Sequence, residues 1–183
     1  MIKMGNISEK ELLEIAKNIK CLILDVDGVL TDGGIILDNE GNEFKTFHVR
    51  DGHGIKMLIR AGIHVAIITG RHSKIVERRA HELGVTEVFQ MCYDKKVAYR
   101  HIAEKYSLKD NEVAYVGDDI VDITLLKKAG FSVVVADADN EVKTIAMMIT
   151  KMKGGRGAVR EVCDFILKAK GLWQDIIDGY YKT

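Results

Sequence analysis

One short apolar run constrains the fold of this chain more than any other feature. Residues 21–24 are Cys-Leu-Ile-Leu, and Asp25-Val26-Asp27-Gly28 follows directly. The run is too short for a helix and too continuously apolar for a half-exposed strand, so we predict a strand buried on both faces of a sheet. In an open α/β sheet, such a strand delivers the residues that follow it to the ligand crevice. Alternatively, the strand ends in an ordinary Asp-Gly turn, and partners elsewhere in the chain have to decide between the two interpretations.

The composition predicts one globular domain, residues 1–183. Lysine plus arginine equals aspartate plus glutamate at 27 each, so we expect no nucleic-acid partner and no membrane partner. No apolar run approaches the ~18 residues of a membrane span, and the first twenty residues lack a secretory pattern. We therefore expect a cytoplasmic protein. The three cysteines lack Cys-x-x-Cys spacing, which argues against a disulfide framework and a zinc site.

Apolar runs and helical patterns alternate along the chain. This alternation predicts a Rossmann-like, doubly wound parallel sheet of the α/β class. We predict strands over residues 64–68, 88–89, 112–116 and 131–135. We predict helices from near Gly54 to Ala61, over residues 73–84, from near Asp94, over 121–129 and over 158–170, with a first helix that starts at a Ser8–Glu11 capping box.

Two segments lie outside this alternation. Residues 33–49 contain two short apolar strands around a turn-rich group, which predicts a β-hairpin insertion in a fold that has no cap domain. Phe44 and Phe47 fall on opposite faces of its second strand, so a partner surface would have to cover one of them. Residues 154–183 begin with Gly154-Gly155-Arg156-Gly157, and we predict that they form a C-terminal arm. Its glycine-rich loop should be able to move. The loop is either a cover for bound substrate or an ordinary connection.

Polar side chains follow several predicted strands at what should be one edge of the sheet. They are Asp25 and Asp27, Thr69 and Arg71, Lys95, and Asp118, Asp119 and Asp122. Carboxylate oxygens suit Mg²⁺, and a carboxylate can attack phosphorus to form an acyl phosphate. Other interpretations remain open: Lys95 could be a solvated helix start, and Asp119 and Asp122 could cap a helix.

The order of four motifs resembles that of the haloacid-dehalogenase-like phosphatases. The motifs are Asp25-x-Asp27-Gly28, Ile68-Thr69-Gly70, Lys95 and Gly117-Asp118-Asp119-x-x-Asp122. The resemblance implies a Mg²⁺ cofactor, with Asp25 as nucleophile and Asp27 as general acid and base. It also implies that Thr69 and Lys95 hold the phosphoryl group. The metal contacts would come from the side chains of Asp25 and Asp118 and from the Asp27 carbonyl.

Longer stretches, Val49-Arg50-Asp51-Gly52 and residues 154–161, resemble the sugar-acid phosphatases within this family. This implies a homotetramer whose hairpins pack together and whose tails reach a neighbouring site. The implied substrate is an 8-phosphorylated eight-carbon keto-sugar acid of lipopolysaccharide synthesis. The alternatives are a nine-carbon sialic-type acid phosphate or a non-catalytic scaffold. The substrate contacts implied are Asp27, His48, Val49, Arg50, Asp51, Gly52, Lys56, Arg71, Arg79, Lys95 and Arg156.

Overall fold

The computed structural model describes residues 3–4 and 7–182, with side chains from residue 7 onward. The strands in this part of the chain are β1 (Lys3–Met4), β2 (Cys21–Leu24), β3 (Ile36–Leu37), β4 (Glu43–Phe44), β5 (His64–Ile68), β6 (Glu87–Phe89), β7 (Val113–Gly117), β8 (Phe131–Val134) and β9 (Met148–Ile149). The α-helices are α1 (Glu9–Lys17), α2 (Val49–Arg60), α3 (Lys74–Leu83), α4 (Lys95–Lys105), α5 (Ile123–Lys128), α6 (Asn140–Ile145), α7 (Ala158–Ala169) and α8 (Trp173–Tyr181). None of these helices is long and apolar enough to cross a membrane.

The main sheet has the strand order β1-β9-β8-β7-β2-β5-β6. All neighbouring pairs are parallel except β1 and β9. From β2 the chain first moves outward to β5 and β6, then returns to β7 and continues to β8 and β9. Because such crossovers are right-handed, the two directions place helices on opposite faces. Accordingly, α1, α2, α3 and α7 form one contacting layer, and α4, α5 and α6 form the other. The prediction of a doubly wound α/β sheet is confirmed.

Strand β2 lies at the centre of the sheet, and its four residues are fully buried. Its last residue, Leu24, lies beside Ile67 of β5 and Val116 of β7. The carboxyl ends of these three strands are therefore level, and the backbone N–H of Asp25 continues the ladder by donating to the Val116 carbonyl over 3.1 Å. Consequently, the polar residues that follow the three strands meet at one edge.

Several helix boundaries follow the sequence signals. Ser8 and Glu11 form the predicted capping box, Asp94 caps α4, and Gly84 ends α3 in the left-handed conformation. Ser73 stands at the N-cap of α3, but its hydroxyl donates to Glu43 at 2.6 Å instead of capping the helix. The predicted helix over 121–129 divides into a 3₁₀ turn, Ile120–Asp122, and α5.

The hairpin is present, but β3 and β4 are only two residues long. Ile36 and Phe44 pair across the two strands and share one face, and 54% of Phe44 is exposed. Phe47, by contrast, packs against the core. Phe47 lies beyond the end of β4, so the predicted placement of both aromatic residues on one strand is wrong, although the two do differ in exposure. The outer face of the hairpin is apolar in the subunit.

The glycine-rich loop before α7 is held in place. The backbone N–H of Gly155 donates to the Val29 carbonyl, and that of Gly154 to the Asp137 carboxylate, both at 2.9 Å. A Cβ atom on Gly154 would overlap the carbonyl oxygen of Gly28, so only glycine permits this approach. These contacts hold the loop against the residues that follow β2, and the expectation that it can move stays a prediction. The predicted arm, residues 154–183, also includes α7, which packs in the helical layer with α1 and α2.

Asp51 also holds the start of α7. Its carboxylate accepts hydrogen bonds from the backbone N–H groups of Gly157, at 3.2 Å, and Arg160, at 2.7 Å. Its side chain is almost completely buried, and burial raises its pKa despite these two bonds. Helix α2 starts at Val49, five residues before the predicted start near Gly54, which places Asp51 in its first turn. Within the subunit, the buried Asp51 therefore caps α7, and its contact with substrate stays a prediction.

We predict that Asp51→Ala lowers the stability of the ligand-free protein. Loss of the cap leaves two buried N–H groups without an acceptor, which should cost about 1–2 kcal/mol. For a chain of this size, each kcal/mol lowers Tm by about 2–4 °C. Thermal unfolding of Asp51→Ala measures this, with the exposed Asp175→Ala as a control that should leave Tm unchanged. An unchanged Tm for Asp51→Ala together with a raised KM would instead assign Asp51 to substrate binding.

Candidate active site

An open cleft lies at the carboxyl ends of β2, β5 and β7. It is lined by Asp25, Asp27, Thr69, Gly70, Arg71, Cys92, Tyr93, Lys95, Asp118, Asp119 and Val121. The polar residues predicted to meet at this edge are therefore brought together, except for Asp122, which lies beneath the surface of the cleft. The interpretation of Asp25 to Gly28 as an ordinary turn does not account for this convergence.

Lys95 joins two buried carboxylates. Its ammonium lies 3.0 Å from Asp25 Oδ1 and 2.7 Å from Asp122 Oδ1. It also donates to the Tyr115 hydroxyl at 3.2 Å. Because Lys95 is buried and all three of its N–H donors have partners, the interpretation of Lys95 as a solvated helix start is wrong.

Asp122 organises the turn after β7. Its Oδ2 accepts from the backbone N–H groups of Asp118, at 2.9 Å, and Asp119, at 3.3 Å. Its Oδ1 accepts from Lys95 and from the Tyr115 hydroxyl. The side chain is fully buried and accepts hydrogen bonds from four donors. Asp122 therefore holds Lys95 and the turn after β7 in place and is more than a helix cap.

The cluster holds more negative than positive charge. Burial raises the pKa of Asp25 to about 6, Asp122 adds to the rise, and Lys95 opposes it. Burial likewise raises the pKa of Asp118 to about 7, with further repulsion from Asp25, Asp122 and Asp119. One carboxylate oxygen from each of Asp25, Asp118 and Asp122 lies within 4.8 Å of the others. Such a group of oxygens gains stability from a divalent cation or from retained protons.

The hairpin contributes two charged residues that the sequence reasoning missed. The Lys45 ammonium lies 2.5 Å from Asp27 Oδ1 and 3.3 Å from Glu43 Oε1. Glu43 also accepts from Arg71 at 2.9 Å and from the Ser73 hydroxyl. Burial alone would raise the pKa of Glu43, but these donors outweigh it and lower the pKa. The available signal was the alternation of the second strand predicted for the hairpin, which would put residues 43 and 45 on the face opposite Phe44.

The predicted substrate residues fall into three groups. Asp27, Arg71 and Lys95 line the cleft. His48, Arg50 and Arg156 line a separate groove beside the start of α7. The exposed Arg156 pairs with Asp32 at 3.0 Å. The other predicted contacts do not line the cleft in the described part of the subunit: they are Val49, Asp51, Gly52, Lys56 and Arg79.

Comparison with known proteins identifies the family. The family described as haloacid dehalogenase-like hydrolase matches residues 85–162. A curated relative from Yersinia pestis, the 3-deoxy-D-manno-octulosonate 8-phosphate phosphatase KdsC, is 48% identical over 92% of this chain and 88% of its own length. The crystal structure of the phosphatase with that name from the same organism superposes with a TM-score of 0.89, at 48% identity over 90% of this chain and 89% of the other.

A second solved structure adds ligands to the comparison. The 3-deoxy-D-manno-octulosonate 8-phosphate phosphatase from Moraxella catarrhalis was crystallised with magnesium, phosphate and KDO. It is 41% identical, covers 94% of this chain and 99% of its own, and has a TM-score of 0.92. The family is established by these structures, by the geometry of the cleft and by the relative that is 48% identical over 92% of the chain. The chain belongs to the haloacid dehalogenase-like phosphatases, a family of phosphoric monoester hydrolases.

Proposed function

We propose that this chain is a magnesium-dependent phosphatase that hydrolyses 3-deoxy-D-manno-octulosonate 8-phosphate during lipopolysaccharide synthesis. The observation that carries the proposal is the cluster that the buried Asp25 and Lys95 form with the half-buried Asp118 in the cleft. The names of the Yersinia and Moraxella relatives support the substrate. We infer the cytoplasm as its compartment, where its three free cysteines would stay reduced, and cell fractionation tests this.

The charge of the cluster fits Mg²⁺. Its oxygens are hard ligands. Burial, and after it repulsion among the carboxylates, raises the pKa values of Asp25 and Asp118, and a cation would offset both effects. Asp25 and Asp118 would hold the ion through their side chains, and Asp27 would do so through its carbonyl. Asp122 would remain behind them, because its oxygens already have four donors. When bound, the ion would polarise a phosphoryl oxygen and offset negative charge.

We predict that magnesium binds more tightly as the pH rises. The metal requires ionised carboxylates, whereas the pKa of Asp25 is about 6 and that of Asp118 about 7. Protons therefore compete with the ion below about pH 7, and the apparent affinity should rise between about pH 5 and 8 and then level. Isothermal titration of Mg²⁺ measures this, with Asp118→Asn as the variant that should bind weakly throughout. Equal affinity at both ends of this range would contradict the metal assignment.

The residues of the cleft support a two-step hydrolysis. A carboxylate oxygen of Asp25 would attack phosphorus, the bond to the sugar oxygen would break, and Asp27 would give that oxygen a proton. Asp27 would then take a proton from the water that attacks the phosphorus of the aspartyl phosphate, which releases phosphate and restores Asp25. Thr69 and Lys95 would hold phosphoryl oxygens. Lys95 donates a hydrogen bond to Asp25, and it can donate to a phosphoryl oxygen instead once Asp25 is phosphorylated.

Arg71 is the residue of the cleft best suited to the carboxylate of a sugar acid. Glu43 fixes one of its terminal nitrogens, while the other, Nη1, is buried and has no hydrogen-bond partner in the described structure. A guanidinium held in this way can donate to a carboxylate with little further loss of freedom. The same feature would serve a nine-carbon sialic-type acid phosphate, so Arg71 does not choose between the two substrates.

A panel of phosphate esters tests the substrate. We predict that the eight-carbon 8-phosphate gives the highest kcat/KM, above the nine-carbon 9-phosphate and p-nitrophenyl phosphate. Asp25→Asn should abolish phosphate release from all of them, because an amide cannot attack phosphorus. Preference for the nine-carbon ester would favour the alternative substrate. Release above a tenth of the wild-type rate by Asp25→Asn would contradict the covalent mechanism, and an inactive wild-type protein would favour a non-catalytic scaffold.

We also propose a closed homo-oligomer, most simply a tetramer, assembled through the hairpins. The exposed apolar residues there include Ile35, Ile36, Leu37 and Phe44, of which Ile36 and Phe44 pair across the strands and form an uncovered patch on the outer face. In a symmetric assembly, the same patch on other subunits would cover this patch and remove it from water. The predicted substrate residues that do not line the cleft of their own subunit, such as Val49, Arg50 and Arg156, would then be placed to serve the cleft of a neighbour.

We predict that Phe44→Asp dissociates this assembly. A charged side chain in the apolar patch would be desolvated by association, which costs several kcal/mol. Light scattering at micromolar concentration should give a mass of several subunits for the wild type and a smaller mass for the variant. Glu40→Asp, a mild change in the exposed turn of the same hairpin, is the control. A wild-type monomer would rule out the assembly, and Arg156→Ala would then affect no neighbouring site.

A further inference from the structure

The hairpin brings an ammonium group to the carboxylate of Asp27. Lys45 follows β4, and its Nζ lies 2.5 Å from Asp27 Oδ1. The side chain of Lys45 is only 1% exposed, whereas that of Asp27 is 24% exposed. Lys45 is therefore shielded from the solvent of the cleft, while Asp27 reaches it.

The burial of Lys45 argues against a direct substrate contact. Lysine is rarely buried unless it is paired, since an isolated ammonium loses its hydration. The two described partners of Lys45 are the carboxylates of Asp27 and Glu43. Releasing Lys45 to a ligand would leave these partners without it. The structure thus favours a permanent pair between Lys45 and Asp27.

The position of Lys45 is fixed from the other side by Glu43. One oxygen of Glu43 contacts both Lys45 and Arg71, and the other accepts from the Ser73 hydroxyl at 2.6 Å. Arg71 and Ser73 come from the loop after β5, which belongs to the main sheet. The hairpin is therefore tied to the sheet at the point where it presents Lys45 to Asp27.

We propose that Lys45 is a positioning residue that orients the Asp27 carboxyl group for proton transfer. By holding Oδ1, Lys45 leaves Oδ2 as the oxygen that serves the leaving group and the attacking water. No other hydrogen bond fixes this carboxylate within the described structure, so its orientation depends on Lys45. This inference rests on the proposed two-step hydrolysis and on Asp27 as its acid and base.

The leaving group provides the test. Departure of a sugar alkoxide requires a proton, whereas p-nitrophenolate is stable enough to leave without one. Lys45→Met should therefore lower kcat/KM for the sugar-acid phosphate on the order of 30-fold or more, part of the 10²–10⁴ typical of general acid catalysis. For p-nitrophenyl phosphate, kcat/KM reports the departure step and should fall less than about threefold. Equal losses on both substrates would overturn the proposal.

A double-mutant cycle separates positioning from support of the fold. In the Asp27→Asn background, Lys45→Met should cause no further loss on the sugar-acid phosphate, because Lys45 acts through Asp27. An additional loss equal to that in the wild-type background would overturn the proposal. Lys45→Arg retains a donor and should recover part of the rate. Lys96→Met, which removes an exposed charge near the start of α4, should leave both kinetic constants unchanged.

Two further measurements keep this test independent of folding and of the exact substrate. If Lys45→Met does not fold, Glu43→Gln should lower kcat/KM more for an alkyl phosphate without a carboxylate than for p-nitrophenyl phosphate, and absence of this difference would overturn the proposal. The sugar acid is left out of this comparison because Glu43 also holds Arg71. If another alkyl phosphate proves to be the best substrate, that ester replaces the sugar acid in the comparison. The assigned substrate would then be wrong, and the role of Lys45 would still be decided by the alkyl and aryl rates.

Discussion

The subunit is organised around the buried ion-pair cluster of Lys95 with Asp25 and Asp122. Removing an ion from water costs several kcal/mol, and only close pairing and further hydrogen bonds recover that cost. Tyr115 and the backbone after β7 supply those bonds to Asp122. The cluster therefore fixes the positions of β2, β7 and the start of α4 relative to one another. Its uncompensated negative charge is what makes the cleft a place for a cation and a phosphoryl group.

The hairpin replaces a covering domain in this fold and does so with only two short strands. Strand alternation gives it two chemically different faces. Glu43 and Lys45 reach the charged residues of the cleft, while Ile36 and Phe44 face outward and remain exposed in the subunit. A single three-residue stretch, residues 43–45, thus connects Asp27, the proposed acid and base, to the surface proposed for assembly. Changes in that surface would therefore alter the contact between Lys45 and Asp27.

Much of the fold could be predicted because its signals are local. Continuous apolar strands, the capping box at Ser8 and the glycine at the end of α3 each act within a few residues. The level strand ends then placed Asp25, Thr69 and Asp118 together. The start of α2 escaped prediction because its N-cap residue, His48, makes no capping hydrogen bond with its side chain. Two roles escaped it because the partners are distant in sequence: Lys45 contacts Asp27 across the hairpin, and Asp51 caps a helix 106 positions later.

The contact of Gly154 and Gly155 with the loop after β2 has a consequence for how the site is assembled during synthesis. The backbone of these glycines approaches Gly28 and Thr31 closely, so the loop after β2 is supported by a segment that is distant in sequence. The ribosome makes that loop early, but its support is translated only after β9. Contacts between such distant segments form late in folding, because closing a long loop costs entropy first. The nascent chain would therefore complete the loop after β2 only once residues 154 and 155 have been synthesised.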